Sequence, residues 1–313
     1  MADNTNQIFQ NGWYVGNNFN AILYGVELVF YFATVKIILD ARKQGRFGRS
    51  DKIFLLLSTF LLAMVTAFLI VQAIFGEEMW VVNEFYPGGT AQYFADHSAV
   101  WYETFGSAAA VAMNLASDAF LIHRTYVVWG LRPSVILFPC FLWLGTAALG
   151  IATCVISGQP NSDFFLGLSS RVALSYSAVS IAMNVTCTCL ICGRIMWASR
   201  RVGDPLARAY SGPMAMIVES MLPYALFGVA YLVTLGLNHP LEILFLSFYV
   251  MFMCISPQMI ILRLLMGRGA GAGAAGHTSQ WPVLASVEQD NGNDPDAMNL
   301  QDVSSKRSMT SEA

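Results

Sequence analysis

From Ile53 to Phe75 the chain runs IFLLLSTFLLAMVTAFLIVQAIF, 23 residues without one charged side chain. A helix needs about 20 mostly apolar residues to cross the hydrocarbon of a bilayer. Six other stretches meet the same requirement, so seven spans are expected: 19–39, 53–75, 104–127, 134–157, 172–196, 213–236 and 240–264. Only a tight turn at Leu237-Asn238-His239-Pro240 separates the last two. Composition agrees, because 12% of the 313 residues are charged, 56% are hydrophobic and mean hydropathy is +0.53. Soluble domains carry about 25% charged residues. A water-soluble core of this composition would leave large apolar patches exposed. The expected fold class is an all-α membrane protein, a seven-transmembrane helix bundle with the lipid bilayer as its first partner.

Orientation follows from the distribution of Lys and Arg in short loops. The first connection holds Arg42, Lys43, Arg46, Arg49 and Lys52. The second, 76–103, holds none, but carries Glu77, Glu78, Glu84, Asp96 and Glu103. Arg124 and Arg132 follow, then Arg171 alone, then Arg194, Arg200, Arg201 and Arg208, and finally Arg263 and Arg268. The alternation is unbroken. It predicts an amino terminus outside and a carboxyl terminus in the cytosol, with the plasma membrane as the expected location. Residues 1–18 contain no Lys or Arg, so they lack the positive region of a cleaved signal and are expected to be a short extracellular tail. Residues 267–313 turn to Gly, Ala, Ser, Asn and Asp, a composition expected to remain disordered. Hydroxyls beside Lys306 and Arg307 could accept phosphate there, or simply be solvated.

An ionisable group in hydrocarbon costs several kcal/mol on the lenient insertion scale, about 2.5–3.5 at the centre of a helix, and so usually faces other helices. Glu27 on the first span, Asp118 and Arg124 on the third and Glu219 on the sixth are therefore expected to turn inward. Lys36 lies near a helix end and can snorkel. On the third span, Gly106, Ser107, Ala110, Asn114, Ser117, Asp118, Arg124 and Thr125 share one arc of about 120° at helical spacing. Opposite them lie Ala109, Met113, Ala116, Phe120 and Val127. This pattern predicts a central helix with its polar stripe facing its neighbours. Arg124 and Glu219 stand at comparable depth, and a pair between them would tie the cytosolic ends of two helices together. The alternative is that each finds its own local partner. Pro223 and Pro257 interrupt the last two spans and would serve as hinges or as static packing devices. Tyr176, Ser180, Asn184, Tyr224 and Tyr231 are candidate walls of a ligand pocket on the outer half, with Ser175 beside them.

Other chemistries find little support. The six cysteines all fall inside apolar runs, Cys189-x-x-Cys192 included, so they read as buried small hydrophobes and leave no disulfide between outer loops. The last span has no lysine for a retinal Schiff base. Asp96, His97, His239 and Glu242 are the only outer cluster that could approach a metal, and no metal is expected. No phosphate loop or nucleophile elbow occurs, and no basic stripe for nucleic acid. The chain reads as a non-enzyme without a cofactor. Asn184-Val185-Thr186 matches a glycosylation pattern but lies within a span.

Four strings carry a resemblance: Asp118-Ala-Phe-Leu-Ile-His-Arg124-Thr-Tyr126-Val-Val-Trp129, Cys192-Gly193-Arg194-Ile195-Met196-Trp197, Val218-Glu219-Ser220, and Ser256-Pro257-Gln258-Met259-Ile260-Ile261-Leu262-Arg263. Together they resemble a set of uncharacterised seven-helix membrane proteins of mushroom-forming fungi. This resemblance implies a seven-helix bundle and a receptor-like role, without an activity to carry over. The first expectation is a protein that senses a small-molecule or peptide ligand and signals to a cytosolic partner, with Asp118, Arg124 and Glu219 as the switch. The others are a solute transporter or channel, with Glu27, Asn114, Asp118 and Asn184 along a polar path, and a non-catalytic scaffold.

Overall fold

The computed structural model describes residues 2–158, 167–202, 204–237 and 239–273. Within them the chain forms α1 (Ala2–Lys43), α2 (Arg49–Glu77) continued by a π-turn (Glu78–Val82), α3 (Gly89–His97), α4 (Trp101–Val128), α5 (Pro133–Ser157), α6 (Gly167–Val202), α7 (Asp204–Gly236) and α8 (Glu242–Gly273). No strand occurs among the described residues. Seven candidate membrane spans result: Gln7–Lys43, Arg49–Val82, Trp101–Val128, Pro133–Ser157, Ser170–Trp197, Glu219–Gly236 and Glu242–Gly267. The chain is an integral multi-pass membrane protein. One end of the bundle carries the basic α1–α2 connection and the other the acidic stretch between α2 and α4. These are called the basic end and the acidic end below.

The boundaries differ from the sequence expectation at both termini. Residues 2–18, expected as a tail, are the opening turns of α1. They extend the helix because they contain no proline and because Phe9 and Trp13 bury themselves against Phe75 and Phe94. Trp13 is only 3% exposed. At the other end α8 continues through Gly273, seven residues into the tail expected over 267–313, and residues 274–313, with the Ser/Thr cluster, lie outside the described residues. The 76–103 connection contains the π-turn and α3, which packs on α1.

The spans close a ring in which α1 meets α2, α2 meets α4, and α4 to α8 follow in order until α8 returns to α1. α4 also touches α6 and α8 across the middle. This central placement explains why both of its faces are buried, Ala109, Met113 and Phe120 as fully as Asn114, Ser117 and Asp118. The outer belt is apolar: Ile22, Val29 and Phe32 on α1, Leu56 on α2, Leu137 and Phe141 on α5, Leu226 and Val233 on α7 are all exposed. In water such a belt would aggregate; against lipid it is the solvated face. Close helix approach depends on small residues. A Cβ at Gly150 on α5 would stand 2.7 Å from Val111 of α4 and 3.1 Å from Tyr176 of α6.

Pro257 removes the amide that would bond the carbonyl four residues earlier, that of Met253. The Ser117 hydroxyl of α4 donates to that carbonyl at 3.1 Å. α8 thus runs on through its proline because α4 supplies the missing donor, which makes Pro257 a braced position rather than a free hinge. Replacing Ser117 by Ala is expected to destabilise the protein by about 1 kcal/mol. In a Pro257→Ala background the same change should cost close to nothing, since the restored amide bonds Met253. Thermal unfolding of the four proteins of this cycle in one detergent measures the difference.

Candidate functional site

The polar side chains of the spans gather in two layers. In the first, centred on α4 and α6, the Asn114 amide donates to the Tyr176 hydroxyl at 2.8 Å and to Ser180 Oγ at 2.9 Å. Ser180 Oγ lies 3.1 Å from Asn114 Oδ1, 3.4 Å from Asp118 Oδ2 and 3.0 Å from the Tyr224 hydroxyl. Tyr224 in turn meets the Tyr249 hydroxyl at 3.1 Å, and Tyr231 stacks on Tyr249 at 5.7 Å. Four helices, α4, α6, α7 and α8, meet at this cluster. Asp118 is 1% exposed and faces only protein, as the cost of an acid in hydrocarbon requires.

Ser180 carries one proton and has three oxygens within reach. When it donates to Asp118 or Asn114, Tyr224 donates to Ser180 and Tyr249 donates to Tyr224. When it donates to Tyr224, the polarity of the tyrosine chain reverses and Asp118 loses its donor. The geometry therefore holds two hydrogen-bond arrangements with almost the same atoms in place.

The second layer joins α8 to α1 and α2. The Ser58 hydroxyl donates to Gln258 Oε1 at 2.6 Å, and the Gln258 amide returns a bond to the Ser58 carbonyl at 3.2 Å. Glu27, fully buried, accepts from the Cys254 thiol at 3.3 Å through Oε1. Its Oε2 has no hydrogen-bond partner.

Toward the acidic end the first layer is the floor of a cavity of about 100 Å³. All eight helices contribute to its lining. Tyr176, Tyr231 and Tyr249 form its lower walls, Glu103, Thr104 and Ser107 one side, Ser177 another, and Trp13 with Phe94 the roof. Around the roof, Tyr86 and Gln92 both donate to Asp96, and His97 stacks on Tyr93 at 4.3 Å. Tyr93 and Tyr102 donate to Glu78. Burial, and then the Glu78 carboxylate, push the Tyr93 phenol above its ordinary value. These bonds knit α3 and the π-turn over the bundle.

Of the five residues expected in a pocket, Tyr176 and Tyr231 line the cavity. Ser180 and Tyr224 lie a layer below it, as its hydrogen-bonded floor. Asn184 is deeper, donating to the Met221 sulfur at 3.7 Å, and Ser175 is exposed, bonded only within its own helix. Glu103, Tyr249 and Trp13 were not anticipated as pocket residues. Tyr249 could have been found, since a phenol in the run FLSFYVMFMC has to find a partner.

The expected Arg124–Glu219 pair takes another form. Glu219 accepts from both Nη1 and Nη2 of Arg263 at 3.2 Å, so the ion pair joins α7 to α8. The Glu219 side chain is 71% exposed and does not turn inward. Its charge is offset by the Arg263 guanidinium rather than by enclosure among helices. The Arg124 guanidinium lies over the rings of Phe54 and Phe120, 4.9 and 5.0 Å from their centres. Phe54, Phe120, Leu121, Met183, Met221, Ile261 and their neighbours form an apolar cluster between the polar layers and this end. Pro223, on α7, is half-buried, and Pro257 is buried.

The chain matches no family model, no curated protein and no solved structure.

Removing the Ser180 hydroxyl strands its partners on two helices, Asn114 and Asp118 on α4 and Tyr224 on α7. Ser180→Ala is expected to lower stability by about 1–2 kcal/mol, whereas Ser175→Ala, whose hydroxyl is exposed, should change nothing measurable. Equilibrium unfolding in mixed micelles compares the two.

Proposed function

We propose that this protein is a non-enzymatic receptor of the seven-helix type, in which a small ligand held in the acidic-end cavity alters the arrangement of the helices at the basic end. The observation that carries this reading is the shared floor. Tyr176 and Tyr249 line the cavity and at the same time belong to the hydrogen-bonded cluster of Asn114, Ser180, Asp118 and Tyr224. An occupant touching either phenol acts on a cluster with two near-equivalent hydrogen-bond polarities, a two-state element of the kind signalling requires. The cluster spans α4, α6, α7 and α8, so a change of polarity is felt by the helices that reach the basic end. There the Arg263–Glu219 pair and the aromatic seat of Arg124 are the contacts that would be remade. The positive connections favour a cytosolic basic end with a signalling partner, an outside amino terminus and the plasma membrane. The four strings that resemble uncharacterised fungal seven-helix proteins accord with the bundle and carry no activity of their own.

A transporter is the second reading, favoured by two buried mid-span acids, Glu27 and Asp118. Against it stands the apolar cluster beneath the polar layers, which gives a polar solute no lined path onward. A scaffold would need neither cavity nor cluster.

The test uses the protein in nanodiscs with spin labels at Leu131, in the α4–α5 turn, and Leu222, on α7, both exposed. Ser180→Ala is expected to add a second population of distances displaced by several ångströms, and Arg263→Ala to widen the main one. Unchanged distributions in both variants would refute the coupling; solute flux in liposomes lost on Asp118→Asn would establish the transporter instead.

A further inference from the structure

We infer that the cavity binds a small monovalent organic ammonium ion, with Glu103 as its counter-charge. The inference rests on the receptor reading for the cavity's role and names the chemistry of its occupant. Glu103 stands in the first turn of α4, lines the cavity and is 9% exposed. Its Oε1 is fully enclosed and has no hydrogen-bond partner among the described residues. No Lys, Arg or His is among the described lining residues. A carboxyl enclosed in this way, with no cation beside it among the described residues, rests with its proton on, and an arriving positive charge that also donates a hydrogen bond stabilises its ionised form.

The rest of the lining suits such an ion. Trp13, Tyr176, Tyr231 and Tyr249 come from α1, α6, α7 and α8, so aromatic faces surround the space on several sides. An alkylammonium gains electrostatically from each ring face it approaches, and its remaining N–H groups find hydroxyl acceptors in Thr104 and Ser177. Size sets the upper limit. At about 100 Å³ the cavity lies well below the 300–1,000 Å³ of drug-sized sites, so the ion has only a few non-hydrogen atoms. An anion finds no cation among the described lining residues, and a neutral molecule of the same shape brings no counter-charge to Glu103.

Ethylammonium chloride is the probe, titrated into the full chain in nanodiscs while thermal stability and Trp fluorescence are followed. Sodium chloride at matched ionic strength and 1-propanol, a neutral molecule of similar size, run in parallel. The expected result is a saturable rise in Tm with ethylammonium alone, weakened at least tenfold in apparent affinity by Glu103→Gln. Propanol should give no saturable rise in either the Gln variant or the parent. Equal ethylammonium affinity in Glu103→Gln, an equal shift with sodium, or no saturable shift overturns the inference. The spin-label distances of the preceding section, read in the same samples, separate the two proposals. Ethylammonium binding that leaves those distances unchanged removes the receptor reading and keeps the ammonium site. Movement evoked by propanol without a preference for ammonium does the reverse.

Discussion

Everything in this bundle follows from hydrocarbon's inability to solvate a polar group. Backbone amides meet that constraint by forming helices, and side chains meet it by finding each other. Asn114, Asp118, Ser180, Tyr224 and Tyr249 are buried together because no other place within the membrane would satisfy them. Their concentration at one level fixes which faces of α4, α6, α7 and α8 look inward. The apolar belt on α1, α2, α5 and α7 is the complement of the same rule.

α8 is the helix that most depends on its neighbours. It is tied to α1 through Cys254 and Glu27, to α2 through Gln258 and Ser58, to α4 through Ser117, and to α7 through Tyr249 and Tyr224. Each tie is a single hydrogen bond or a pair, worth roughly 0.6 kcal/mol on average between membrane helices. Ties of that size hold a structure when summed and yield one at a time. That combination suits a helix whose proline is braced by a neighbour's hydroxyl rather than left to bend.

The architecture was largely legible in the chain, since seven apolar runs of membrane length admit few other folds and the polar stripe on the third span had to face inward. The cluster's members were legible as types but not as partners: Tyr176, Ser180 and Tyr224 read as pocket walls, while two of them prove to be the floor. What escaped did so for physical reasons. Residues 2–18 look polar enough to be a tail, and only the burial of Trp13 against Phe75 and Phe94 makes them helix and roof. Glu103 sits one residue before the expected span and was counted with the acidic loop, although the helix begins at Trp101. Arg124 and Glu219 stand at matching depth, yet depth alone does not choose a partner when Arg263 is nearer to one and aromatic rings to the other.

The central claim is a cavity that reaches inward from the acidic end and stops at the Ser180 layer. Single cysteines at Ser107, Ser177, Ser180 and Leu121, introduced into a background lacking the six native ones, test it with a membrane-impermeant thiophilic cation small enough for the cavity, Ag+, applied to either face, the thiols left free being titrated after unfolding. Ser107→Cys and Ser177→Cys should react from the acidic end only, while Ser180→Cys and Leu121→Cys stay unreactive from both. Reaction of Leu121→Cys, or labelling of Ser177→Cys from both faces, would contradict the account.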